Sequence, residues 1–527
     1  MLFVLAVRCG TMGVRTHVRE EGAAAVTARA IMIQGTMSGV GKSLLVAGLC
    51  RIFAQDGYRV APFKSQNMAL NSAICADGSE MGRAQAMQAE AAGIEPVSAM
   101  NPVLLKPTSD TGSQVIVRGR PIGTMAAREY FAYKRSLVPV IMECYRDLAS
   151  RFDVIVIEGA GSPAEINLKS DDIVNMGMAK RAEAPVVLVG DIDRGGVFAQ
   201  LAGTMMLLDD DERALVKATV VNKFRGDPAI LAPGLDQLGS LTGVPVAGVV
   251  PYVDVDIDEE DSQSERIGRR RADSLIDVAV VRLPHLSNYT DFSALDAIEG
   301  VGVRYVRVPR DLGSPDLLIV PGTKSTLADL RWMRESGMEV LVKRLATSGV
   351  PVIGICGGYQ MLGRAVSDPK GVEGAGSLAG LGLLPVSTCF SEEKRQVRVE
   401  GRVSAVSGIA AGATGAPLEG YEIHMGETAL EDAEAEAFCT VRSSAGERYD
   451  GCVVGNVCGT YLHGLFDSPA FTERFVRGLF EAKGLSADAV RAFDMGAYRT
   501  RQYDRLAAAV RGALDMDMMR RILEEGV

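Results

Sequence analysis

The chain has nine cysteines but no C-x-x-C pair. This argues against structural zinc and a disulfide framework and points to a reducing cytoplasm. No apolar run approaches the ~20 residues of a membrane span, and residues 1–7 lack the basic leader and cleavage site of a signal peptide. Positive charge is not in excess: the net charge is −10, which gives no general affinity for nucleic acid. Internal repeats and low-complexity tracts are missing as well. Histidine is scarce, four in all, so each one is a candidate for chemistry. What is present is a chain of 527 residues, 47% of them hydrophobic, too long for one core and too apolar for global disorder. The expectation is a cytoplasmic α/β protein of at least two domains.

From Ala30 onward, β-rich apolar runs alternate with helical segments, the pattern of βαβ units on a parallel sheet. Residues 30–34 read as a strand, followed by Gly35-Thr36-Met37-Ser38-Gly39-Val40-Gly41-Lys42-Ser43 and a helix. In such a loop the backbone N–H groups cradle phosphates at a helix N-terminus. Lys42 would reach the β/γ-phosphates and Ser43 would ligate Mg²⁺. Position 36 is threonine where the strict P-loop pattern has glycine, so the loop is a variant. A second strand ends in Lys64-Ser65-Gln66-Asn67, at the carboxyl end where parallel sheets bind ligands; solvated surface polarity explains the stretch equally well. Residues 101–114, which include Lys106, read as a loop that either contacts substrate or merely connects. A strand over 153–157 ends in Glu158, an acid placed to hold the Mg²⁺ of a P-loop enzyme. Another strand ends in Asn222-Lys223, where nucleotide-binding sheets often read the base.

Residues 253–274 are charge-dense and read as a linker. A second α/β unit follows, organised around Pro351-Val-Ile-Gly-Ile-Cys356-Gly357-Gly358-Tyr359-Gln360. The β-branched run predicts a buried strand, and the glycines permit a tight turn that lifts Cys356 out of the strand end as a nucleophile. The amide of Gly357, with one from the turn at Gly322, would hold an oxyanion. His463 follows a short β-like run, where a rigid element can hold it against Cys356. Taken singly, such a cysteine is more often a buried structural residue and such a histidine a satisfied core residue; it is their occurrence together that favours chemistry. The domain expectation is an N-terminal extension over 1–29, expected to be disordered; a P-loop domain over 30–252; the linker; an amidotransferase-type domain over 275–475; and a helical segment over 476–527, with helices at 488–510 and 516–525.

With Gly322, Cys356-Gly-Gly-Tyr-Gln and Tyr461-Leu-His463-Gly in this order, the second unit resembles a class I glutamine amidotransferase, a flavodoxin-like α/β domain. An acid usually follows the histidine by two positions, and here Leu465 stands there. The subgroup it resembles, the cobyrinic/cobyric amidases, works with a Cys–His dyad, which leaves open what orients His463. The first unit resembles the dethiobiotin synthetase-like P-loop enzymes, which phosphorylate carboxylates, and Lys64 falls where they place a second phosphate-facing lysine. Lys64-Ser-Gln-Asn, Lys106-Pro-Thr-Ser-Asp-Thr-Gly-Ser-Gln114 and Ile166-Asn167-Leu-Lys169 extend the resemblance to the cobyric acid synthase family over the chain from about Ala30. The resemblance implies a ligase using ATP, Mg²⁺ and glutamine to amidate adenosylcobyrinic acid a,c-diamide, with Lys64, Gln66, Asn67, Lys106, Asn167 and Lys169 near phosphate or corrinoid. The alternatives are an a,c-diamide synthase, or a nonenzymatic nucleotide switch of the partitioning-ATPase type carrying an inactive amidotransferase domain.

Overall fold

The computed structural model describes residues 28–107, 112–257, 274–373, 376–432, 435–443, 446–488, 490 and 494–527. The expected N-terminal extension and most of the linker therefore lie outside the described residues, as do positions 108–111 of the expected loop. Three six-stranded sheets organise the described residues, two of them parallel or nearly so and one built on a long antiparallel ribbon.

The first sheet begins with Arg29–Gly35, whose Ile31, Met32 and Ile33 are fully buried. Its strands run in the order 246–251, 216–224, 186–191, 29–35, 154–158 and 60–63, all parallel. Near-continuous apolar strands such as Val154–Glu158 follow from burial on both faces, with separate apolar clusters above and below. The second sheet runs 301–306, 276–281, 317–320, 352–355, 457–460 and 452–454, parallel except for the last pair. Beside it stands a long antiparallel ribbon, Val386–Val403 against Pro417–Leu430, which reaches back to the first domain.

Two departures from the sequence reading have physical reasons. The stretch 101–114 is not a plain loop: Val103–Pro107 and Gly112–Val117 pair antiparallel, Lys106 opposite Gln114. Its polar residues face buried partners, so the usual apolar alternation is hidden. The C-terminal helices are not a separate segment either. Met495–Ala513 packs on the helix Lys42–Gln55 that follows the P-loop, burying Leu506 (2% exposed) and Val510, and Met516–Glu525 adds Met519 and Leu523 to the same core. Gly48 is what permits the approach: a Cβ there would stand 3.0 Å from Val510 Cγ2. The chain thus leaves the first domain, builds the second and returns.

Leu506→Ala should therefore cost about 2–5 kcal/mol, the usual range for truncating a buried leucine. Denaturant titration of the nucleotide-binding domain's unfolding checks this; an unchanged midpoint would make the helix an appendage.

Candidate active site

Strand Val352–Ile355 is wholly buried, and at its end Cys356 takes φ 51°, ψ −110° before the helix Gly357–Leu362. A non-glycine residue at this backbone position is strained, and it persists because the surroundings leave no alternative. Gly358 shows why: a Cβ there would lie 1.9 Å from the Val320 carbonyl oxygen. The turn brings Gly357 against Thr323, with a Cβ on Gly357 falling 3.1 Å from the Thr323 amide nitrogen. Gly322 lies on the same side; a Cβ there would stand 3.1 Å from His463 Cε1. Cys356, Gly357, Gly322 and His463 thus converge on one spot.

His463 is 1% exposed and lines one cavity with Cys356. Its Nδ1 lies 2.7 Å from Asp291 Oδ2, while Asp291 Oδ1 accepts the Gly464 amide at 3.1 Å. Tyr421 stacks on the imidazole, ring centres 5.2 Å apart, and exchanges backbone hydrogen bonds with His463. Burial alone would push the imidazolium pKa down, but the Asp291 carboxylate and Cys356 outweigh it and raise it to about 10. So the pair is a triad rather than a bare dyad, its acid supplied from a short helix 172 positions before the histidine. The one hint in the sequence was polar crowding just past the carboxyl end of the strand Ile276–Val281.

The cavity beside Cys356 and His463 is also lined by Lys324, Glu373, Lys394 and, from the first domain, Lys106. Lys106 Nζ donates to Glu80 Oε1 at 2.8 Å and to Ser72 Oγ at 2.9 Å. From the ribbon of the second domain, Lys394 Nζ and Gln396 Nε2 donate to Glu80 Oε2 at 2.5 and 2.6 Å. Burial opposes ionisation of Glu80, but Lys106 and Lys394 hold it well below the usual carboxylate range. Burial drives Lys394 the other way, down to about 8 despite Glu80. Asn288, on the same wall, donates its amide to Asn71 Oδ1 at 2.7 Å.

At the other centre, Gly41 takes φ 89° and ends the loop at the helix Lys42–Gln55. Gly35 must be small, since a Cβ would meet Val40 at 2.5 Å and Lys42 Nζ at 3.0 Å. Lys42 Nζ donates to Met37 O at 3.0 Å and Gly161 O at 3.1 Å, so its ammonium already lies inside the loop. Ser38 Oγ sits across from Gly161, and Thr36 Oγ1 is 3.1 Å from Gln200 Oε1. Ser43 Oγ and Lys64 Nζ each donate to Glu158 Oε1 at 2.9 Å, and Gln88 donates to Oε2 at 2.5 Å. Burial works against this carboxylate, but Lys64 chiefly, with Gln88 and Lys42, holds its pKa low. Asn222 Nδ2 donates to Val40 O at 2.7 Å and so braces the loop.

The remaining candidates divide: Gln66 and Lys169 line one cavity of the first domain, and the others lie elsewhere. Lys64 belongs to Glu158, whereas Lys106 faces the Cys356 cavity. Asn67 is buried on Gln85, 2.9 Å away, and Gln66 accepts the Tyr130 hydroxyl at 2.6 Å. Lys169 pairs with Glu212 at 2.8 Å and Asp209 at 3.2 Å, and Asn167 stands exposed on the loop before it.

Among the described residues no helix is long and apolar enough to cross a membrane. Residues 31–265 match the model of the CobQ/CobB/MinD/ParA nucleotide binding domain, and residues 277–471 that of the CobB/CobQ-like glutamine amidotransferase domain. The chain is 56% identical to the cobyric acid synthase of Ruminiclostridium cellulolyticum over 95% of its own length and 98% of the relative's. It is 53% identical to that of Lachnoclostridium phytofermentans (95% and 100%) and 54% identical to that of Citrobacter koseri (94% and 99%). On this likeness, nearly end to end, the chain belongs to the cobyric acid synthase family.

Proposed function

We propose that the protein makes cobyric acid, amidating the b, d, e and g carboxylates of adenosylcobyrinic acid a,c-diamide with nitrogen from glutamine and energy from ATP. The observation that carries this is the pairing, in one molecule, of a strained Cys356 beside a buried His463 held by Asp291 with a P-loop whose Lys42, Ser43 and Glu158 form one cluster.

In the second domain the Cys356 thiolate, paired with the His463 imidazolium, attacks the side-chain amide carbon of glutamine. The amides at Gly357 and Gly322 receive the oxyanion. His463 gives its proton to the departing ammonia, then takes one from the water that hydrolyses the thioester, and glutamate leaves. Asp291 keeps the imidazole in one orientation and stabilises its charge, as a triad acid does. In the first domain Lys42 and the loop amides bind the β/γ-phosphates while a substrate carboxylate oxygen attacks the γ-phosphorus and ADP departs. Ammonia then attacks the acyl carbon and phosphate leaves. Ser43 Oγ and Glu158 are hard oxygen donors, 2.9 Å apart beside the loop. One or two such groups completed by phosphate oxygens is the usual donor set for Mg²⁺, which when bound neutralises phosphate charge. Asn222 and Thr36 complete the nucleotide site.

The reading is tested by incubating the protein with ATP, Mg²⁺, glutamine and the a,c-diamide and following the corrinoid by mass spectrometry. Four stepwise carboxylate-to-amide changes are expected; a corrinoid of unchanged mass beside hydrolysed glutamine would refute the substrate. Cys356→Ser should abolish the ladder with glutamine but keep it with ammonium salts, whereas Lys42→Ala should lose both. Equal loss of the two nitrogen sources in Cys356→Ser would show that the sites are not separable. Asp291→Asn should reduce glutamine hydrolysis by about 10²–10⁴-fold. Removing that carboxylate removes what raises the His463 pKa, so the imidazolium deprotonates earlier and the alkaline limb of the pH–rate profile moves down from near 10. A limb that stays in place would put the charge stabilisation elsewhere.

A further inference from the structure

The first domain holds a cavity of about 620 Å³ that the chemistry above leaves without an occupant. It opens beside the P-loop: Gly161, whose carbonyl accepts Lys42 Nζ at 3.1 Å, is part of its wall. Its lining is mostly apolar, with Met68, Met125, Tyr130, Phe131 and Leu168, and also carries Glu165, Asp172 and Glu212. Met68 is 61% exposed, Phe131 43% and Leu168 37%. Large apolar groups left in water around one mouth mark a surface that something apolar covers.

Charge in the cavity is arranged unevenly. Lys169 is already neutralised by Glu212 and Asp209. Lys134 also lines the cavity, is only 8% exposed, and rests its ammonium 4.3 Å above the Phe131 ring. Among the described residues its ammonium has no ion pair and no hydrogen bond, although Asp171 and Asp172, the latter also in the lining, attract it from farther away. A mostly buried ammonium held over an aromatic face is a site for an anion that arrives together with an apolar body.

We propose that this cavity docks the corrin macrocycle, its ring edge against Met68, Met125, Phe131 and Leu168, with one carboxylate arm on Lys134 while another passes Gly161 to the phosphoryl group held by Lys42. This rests on the function proposed above and adds where the substrate sits and what orients it. The ligand class comes from the function proposed above; what the lining contributes is a wide apolar wall and one lysine outside any ion pair. Only one arm can lie at Gly161 at a time, so each of the four amidations needs a new docking. Thioether walls suit that requirement, because methionine side chains repack around differently presented ligands.

The test uses the full-length protein and equilibrium dialysis of adenosylcobyrinic acid a,c-diamide without ATP, followed by steady-state amidation with ammonium as nitrogen source. Phe131→Glu should weaken corrinoid binding by tenfold or more. Lys134→Gln should raise the corrinoid KM by about 10–100-fold, the worth of a charge-assisted hydrogen bond, with little change in kcat, and Lys134→Arg should restore it. Thermal unfolding of each variant reports whether it is folded. Folded variants that bind and amidate like the unaltered protein would overturn the docking site while leaving the function intact. An unaltered protein that neither binds nor amidates the corrinoid would overturn both.

Discussion

The relation between the two domains depends on one buried carboxylate. Glu80 is fully buried and receives four donors, Lys106 and Ser72 from its own domain and Lys394 and Gln396 from the other. Taking an ion out of water costs several kcal/mol unless cations and hydrogen bonds surround it, and here half of them come from across the interface. The domains therefore cannot slide past each other without stranding a charge on each side. Lys394 and Gln396 are two residues apart on one strand and so share a face, which fixes the register of that contact. Since Lys106 also lines the Cys356 cavity, the first domain furnishes part of the second domain's site.

Each centre lies where a buried parallel strand gives way to a helix, and each uses a positive φ at that junction. At the P-loop the residue is Gly41, which adopts the conformation without strain and leaves the amides free to face phosphate. At the nucleophile it is Cys356, which cannot do so without strain and is held by packing of Gly358 on Val320. The same geometry thus serves binding in one place and presentation of a reactive side chain in the other. The acid behind each centre likewise comes from a separate strand or helix, Glu158 behind Ser43 and Asp291 behind His463.

Both mainly parallel sheets and both strand–turn–helix motifs were legible in the sequence, because a β-branched run ending in glycines carries its own geometry. The family was legible for the same reason. What escaped was whatever depends on distant parts of the chain meeting. Asp291 lies far from His463 in sequence, and nothing local distinguishes it from the neighbouring polar residues. Lys64 and Lys106 look alike as lysines near polar runs, yet one serves Glu158 and the other Glu80. The hairpin over 103–117 hid because its polar positions are satisfied inside the protein, which removes the alternation that reveals a half-exposed strand. The C-terminal helices were legible as helices, but not the core they complete.

That last placement bears on how the chain is made. Synthesis runs from the N-terminus, so the P-loop helix emerges long before residues 495–525, which cover its outer face. Until they appear, the nascent first domain presents an uncovered apolar stripe while the amidotransferase domain, whose core is continuous in sequence, is free to condense. The second domain's core closes with Met495, at the start of the same helix whose later turns cover the first domain. The outer face of the P-loop helix is therefore the last large apolar surface of the chain to be covered.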